Sequence, residues 1–133
     1  MIYSILQKHI DNLFALEDNF DKYDYIISVG KTSPGFPESK RIKENIMHGC
    51  QSIVWLVGEK KDNKYYFIGD SDALIVKGIV VIMTEAFSGY TKEDLNKFDS
   101  NIIKRRKYIN EGMRKPSLGV FISTFSILSL FIS

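Results

Sequence analysis

The sequence predicts a single α+β domain, 1–133, in which a small three-stranded antiparallel sheet packs against several helices. Three observations predict this class. Apolar residues near the N-terminus recur close to a 3.6-residue period. Two runs rich in β-branched and aromatic residues, Gln51 to Val57 and Lys64 to Ile68, are separated by turn formers. A long apolar stretch, Ala73 to Phe87, follows an acidic cluster that can start a helix.

The N-terminal helix is expected from about Tyr3 to Leu16, because Ile2, Ile5, Leu6, Ile10, Leu13, Phe14 and Leu16 recur near the helical period. His9 on this helix reads as a surface residue. A second helix is expected from Asp21 to Gly30. Asp21 is its cap, Tyr23, Ile26 and Ile27 mark its buried face, and Gly30 is its stop. Thr32 to Pro37 is an extended loop, and Ser39 to Glu44 is charged and solvated. There Arg41 either pins the loop or is a free surface charge. Ile46 to His48 adds a short strand. Gly58, Asp62 and Asn63 connect the two longer strands, with Tyr65 and Phe67 on one face and Tyr66 and Ile68 on the other.

Asp70 or Ser71 is the expected N-cap of the helix from Ala73 to Phe87. This helix is apolar nearly all round and so should be the buried centre of the fold. Its β-branched residues favour a strand by propensity, while its length and acidic start favour a helix. Lys77 on it reads as a surface charge or a partner contact. Ser88 to Tyr90 ends it. Thr91 to Asp94 then opens a short helix with Thr91 as cap. Asn101 to Tyr108 reads as a further helix whose basic run is usually a solvated face. Leu118 to Ser133 has no charged side chain. It falls slightly short of the run of about 20 residues that spans a membrane. It is expected to pack as a final helix rather than to anchor.

Composition excludes some functions. With 18 basic and 16 acidic residues the net charge is +2, which gives bulk electrostatics no grip on nucleic acid. A single cysteine rules out an internal disulfide and a four-cysteine zinc site, and favours a reducing compartment. The apolar run at the N-terminus is too short for a signal peptide.

The chemistry centres on Asn45-Ile46-Met47-His48-Gly49-Cys50-Gln51-Ser52-Ile53-Val54-Trp55. Gly49 permits a sharp turn, which would set the Cys50 thiol in a tight loop at the mouth of a strand. Gln51 and Ser52 are polar donors beside the sulfur. His48 lies two residues before it, so a cysteine hydrolase using Cys50 and His48 is one reading. A non-catalytic interaction module with a merely structural Cys50 is another, since a free cysteine is commonly a small buried hydrophobe.

Two motifs in order point to a third reading beside these. Asn45…Gly49-Cys50-Gln51-Ser52…Val54-Trp55 is followed by Asp70-Ser71-Asp72-Ala73…Ile75-Val76-Lys77-Gly78, and together they closely resemble the SufE family of sulfur-acceptor proteins. Tyr25-Ile26-Ile27…Gly30-Lys31 and Pro34…Pro37…Arg41 also fit. The resemblance is strongest over 13–99, and 100–133 diverges.

The resemblance implies a SufE/NifU-like fold. It implies that Cys50 takes persulfide sulfur from a SufS-like cysteine desulfurase, stimulates that enzyme, and passes the sulfur to an iron–sulfur scaffold complex. Such a chain carries no metal or cofactor of its own; the pyridoxal phosphate sits on the partner. It is an activator without independent turnover. His48, Gly49, Gln51, Ser52 and Asp72 would support the thiol. Asp72 either holds the loop closed by accepting backbone N–H groups or caps the central helix, and the two roles are compatible. A lone thiol suits a carrier, because a persulfide on Cys50 has no second cysteine with which to form a disulfide.

The sequence departs from the family pattern after Pro116-Ser117. An arginine is usual there and Leu118-Gly119-Val120 follows instead, which leaves Arg114 as a candidate charge partner. The implied setting is cytoplasmic for a bacterial protein and a plastid-type organelle for a eukaryotic one, with a homodimer among the expected states and no membrane association.

Overall fold

The computed structural model describes residues 2–33, 35–47 and 52–97. Over these residues the fold is α+β, with helices packed on an antiparallel hairpin. Helix α1 (Ile2–Phe14) and helix α2 (Asn19–Lys31) come first. Two single-turn 3₁₀ segments, Glu38–Lys40 and Lys43–Asn45, lead to strand β1 (Val54–Lys61). Strand β2 (Lys64–Ser71), helix α3 (Leu74–Phe87) and the short helix α4 (Lys92–Asn96) follow.

Helix α3 is the centre. It packs against α1, α2 and β2. Its Ile79, Val80, Ile82, Met83, Ala86 and Phe87 join Leu6, Leu13, Ile26, Val54, Leu56 and Phe67 in one core. The conflict between propensity and burial resolves on magnitude. A β-branched residue costs at most ~0.7 kcal/mol in a helix, whereas burying its side chain gains about 1.5–3 kcal/mol.

The hairpin forms where the sequence alternates. Val54, Leu56 and Phe67 point into the core, while Tyr66 and Ile68 face outward. Asp62 and Asn63 both have positive φ, 51° and 66°. They make a two-residue turn that suits the strand twist. Strand β1 begins at Val54 rather than Gln51, with Ser52 and Ile53 outside it, and runs on to Lys61, so that Gly58 lies inside the strand rather than in the turn. Strand β2 runs past the expected Ile68 to Ser71. The third strand is not formed among the described residues. Ile46 instead makes one isolated antiparallel bridge to Trp55, and Met47 N donates to Val54 O at 2.8 Å. Ile46 is extended, and His48, the last residue of the expected strand, lies outside the described residues.

Several helix ends differ from expectation. Asp18, not Asp21, caps α2, accepting from Phe20 N at 2.7 Å. An aspartate at that position satisfies an amide that the first helical turn leaves unpaired. The helix runs through Gly30 and ends at Thr32. Gly30 serves a close crossing of α2 on α3. A Cβ on it would lie 3.1 Å from Gly78 N, and one on Gly78 would collide with the Ile26 carbonyl. Asp70 and Ser71 complete β2, and Ala73, which has no side-chain oxygen, takes the cap position of α3. Thr91 caps α4 as expected, accepting from Asp94 N.

His9 is buried between helices rather than exposed. Asn12 Nδ2 donates to Tyr25 Oη at 2.9 Å, which leaves the Tyr25 hydroxyl able to donate to His9 Nδ1 at 2.7 Å. A phenol can accept one bond and donate another, so the pair of contacts is consistent. His9 Nε2 is buried without a hydrogen-bond partner among the described residues. Burial pushes the His9 pKa down; Glu85 opposes this and Lys8 adds to it.

Candidate functional site

The segment that carries Cys50 has two stems, and the structure describes both. His48, Gly49, Cys50 and Gln51 themselves lie outside the described residues, as do Arg114 and the helices expected after residue 100. The incoming stem is tied to β1 by the Ile46–Trp55 bridge and the Met47–Val54 hydrogen bond. The outgoing stem begins at Ser52, which is half-buried, and is held at Ile53.

Ile53 is gripped through both its amide and its carbonyl. Asp72 Oδ1 accepts from Ile53 N at 3.1 Å. Ile53 O in turn accepts from Ser71 Oγ at 2.7 Å and from Asp72 N at 3.3 Å. Ser71 Oγ also accepts from Ala73 N at 3.2 Å, so one short turn serves both the stem and the start of α3. The hairpin register brings this about. Val54 pairs with Ser71, which sets Ile53 beside Asp72.

A buried ionic cluster lies next to this turn. Asp70 is 2% exposed and stands opposite Trp55 in the register. Its Oδ2 pairs with Arg41 Nη2, and its Oδ1 lies 3.3 Å from Lys77 Nζ. The Lys77 contact is an ion pair without hydrogen-bond geometry, so Arg41 is the stronger partner. Arg41 also bonds Glu38 Oε2 through Nε at 2.9 Å. The guanidinium lies over two rings, 5.1 Å from the centre of Trp55 and 5.5 Å from that of Phe36. At such distances the cation is attracted to the ring faces. A carboxylate this deep is tolerable only because it is paired.

The sequence leaves Arg41 undecided between a pin and a free charge, and presents Lys77 as a surface or partner contact. The structure joins both to Asp70. The signal that could have found them is a strand-end acid with two cations outside its own element. No local pattern encodes that pairing. Three apolar side chains on or near the stems, Ile42, Ile53 and Leu74, are exposed. Among the described residues no His, Cys, Asp or Glu side chains gather as a metal-binding group. No helix among them is long and apolar enough to cross a membrane.

The SufE family model, described as an Fe–S metabolism associated domain, matches residues 7–111. The chain belongs to the SufE family. Among similar proteins is an uncharacterised SufE-like protein of Rhizobium meliloti, 39% identical over 99 residues that make up 71% of each chain. A SufE-like protein of Rhizobium etli is also 39% identical over 99 residues, covering 71% of this chain and 67% of the relative. A cysteine desulfuration protein SufE of Plasmodium falciparum is 39% identical over 87 residues, 62% of this chain and 35% of that longer protein. The SufE match includes both stems, the ionic cluster and the Asp72 turn, and it ends before the uncharged stretch from Leu118.

Proposed function

We propose that this chain is a sulfur carrier for iron–sulfur cluster assembly, loaded on Cys50 by a cysteine desulfurase. The observation that carries the reading is that the chain's only thiol falls between two pinned stems within the SufE match. Membership of a family associated with Fe–S metabolism supports it, as does the desulfuration role in the name of the Plasmodium relative.

The reaction is a thiol–persulfide exchange. The Cys50 thiolate attacks the terminal sulfur of a persulfide on the desulfurase cysteine. A new S–S bond forms on Cys50 and the S–S bond on the desulfurase breaks. The desulfurase cysteine leaves as a thiolate, so charge and electrons balance without an added oxidant. The cofactor chemistry that first frees sulfur from cysteine belongs to the partner's pyridoxal phosphate. This chain supplies the acceptor sulfur, its placement and its shelter. Passage to a scaffold repeats the exchange in the other direction, with the acceptor's thiolate as nucleophile. A SufS-like enzyme is the proposed donor and an iron–sulfur scaffold complex the proposed acceptor.

Mixing the protein with a desulfurase and cysteine should add ~32 Da, one sulfur, to Cys50 as read by mass spectrometry. Cys50→Ser should fold, gain no mass and fail to stimulate sulfide release. A serine variant that still accepts and passes on sulfur would sink the carrier reading. Sulfur-independent hydrolytic turnover lost in Cys50→Ser would favour the hydrolase reading instead.

A further inference from the structure

We infer that Arg41 is a positioning residue for the sulfur-bearing segment, acting through Asp70 and Trp55 to fix both stems on which Cys50 is mounted. The relevance to sulfur transfer rests on Cys50 being the carrier; the mechanical claim does not.

The geometry gives Arg41 more than one attachment. It sits in the connection that becomes the incoming stem, just ahead of the Lys43–Asn45 turn and Ile46. From there it reaches Asp70, the residue two before Asp72, which holds Ile53 N. Its guanidinium also covers the ring of Trp55, whose backbone bridges Ile46. One side chain therefore links the incoming stem, the strand under it and the turn that grips the outgoing stem.

The residue type matters as much as the charge. A guanidinium is planar and always charged, and it stacks on rings while its fork of N–H groups meets a carboxylate. Here it does both, between Phe36 and Trp55 and against Asp70 and Glu38. A lysine could keep the charge but not the stack together with two directed hydrogen bonds. Lys77 holds the other oxygen of Asp70 from α3, so the anchor is fixed to the central helix of the fold. The burial of Asp70 also protects the pair from screening by salt.

A purely structural ion pair and a positioning device differ in which amides they protect. Amide hydrogen exchange of the folded protein reads this directly. In Arg41→Lys the amides of Met47 and Ile53, each bonded across a stem, should exchange on the order of tenfold faster, while those of Val80 and Met83 in α3 stay within about twofold of wild type. Alkylation of Cys50 by iodoacetamide, which needs no desulfurase, should quicken in step. Asp70→Asn is the second variant. It keeps the shape, removes the buried charge, and should give the same selective pattern. Unchanged exchange at Met47 and Ile53 in either folded variant would overturn the inference, as would equal acceleration of stem and core amides. Sulfur loading of Cys50 and its loss in Cys50→Ser do not depend on these amides, so failure of the carrier reading and failure of this inference are separable.

Discussion

Asp72 Oδ1 accepts its hydrogen bond from Ile53 N on an exposed part of the surface, and exposure sets what that bond is worth. A buried bond to a charged group contributes about 1.5–3 kcal/mol, but a solvated one falls nearer about 0.5–1.5 kcal/mol. Asp72→Ala should therefore raise the iodoacetamide labelling rate of Cys50 by roughly two- to tenfold if labelling proceeds through release of the outgoing stem. An unchanged rate would reduce Asp72 to a local turn residue. The position of Asp72 near the thiol segment is what the resemblance to the SufE family implies, and its bond to Ile53 N agrees. The partnership of Arg41 with Asp70 and Lys77 is not, because it joins a loop, a strand end and a helix that only the folded chain brings together. His9 misleads for a related reason. A polar residue on an amphipathic helix looks solvated until a distant hydroxyl, here that of Tyr25, satisfies it inside.

Between α1 and α2 the His9–Tyr25 contact makes helix packing sensitive to acid. The folded-state pKa of His9 lies below its ordinary value of 6.5, mainly through burial. The unfolded chain therefore binds the proton more readily, and the neutral imidazole favours the fold. That contribution is fully present above about pH 6.5 and is lost as pH falls from there through the depressed folded value. Thermal unfolding followed from about pH 7.5 to about pH 5.5, either side of that ordinary histidine value, should show wild type losing more stability than His9→Gln. Equal losses would remove His9 from the account. The α2–α3 crossing gives a second expectation. Gly78→Ala would set a methyl against the Ile26 carbonyl. Such overpacking should cost about 1–3 kcal/mol in denaturant unfolding. Sequence patterns find α1 and the hairpin by their periods, α2 by its buried face and end signals, and α3 by its length and acidic start. They mistake Gly30 for a stop and Asp70 and Ser71 for caps, because a glycine required by a neighbouring helix looks like a terminator, and strand-end polar residues look like caps.

At the scale of the whole molecule, the described fold keeps its core around α3 and the two stems that flank the Cys50 segment at the open end of the hairpin. The uncharged stretch from Leu118 to Ser133 lies outside the described residues, and the sequence expectation for it stands as a prediction. Removing 119–133 should lower thermal stability, and the full chain should not bind liposomes. Unchanged stability, with liposome binding lost on deletion, would favour an anchor. The hairpin itself works as a ruler. It counts without a break from Lys61↔Lys64 at the tip to Val54↔Ser71 at the base, and that count alone delivers Asp72 to Ile53. One residue inserted between Ile68 and Gly69 would shift the count and turn alternate side chains to the wrong face, unless a bulge absorbs it. One residue added to each strand beside Asp62-Asn63 leaves every lower rung in place. Working relatives should therefore lengthen or shorten this hairpin by matched pairs, and the tip can drift through evolution while the base stays in register.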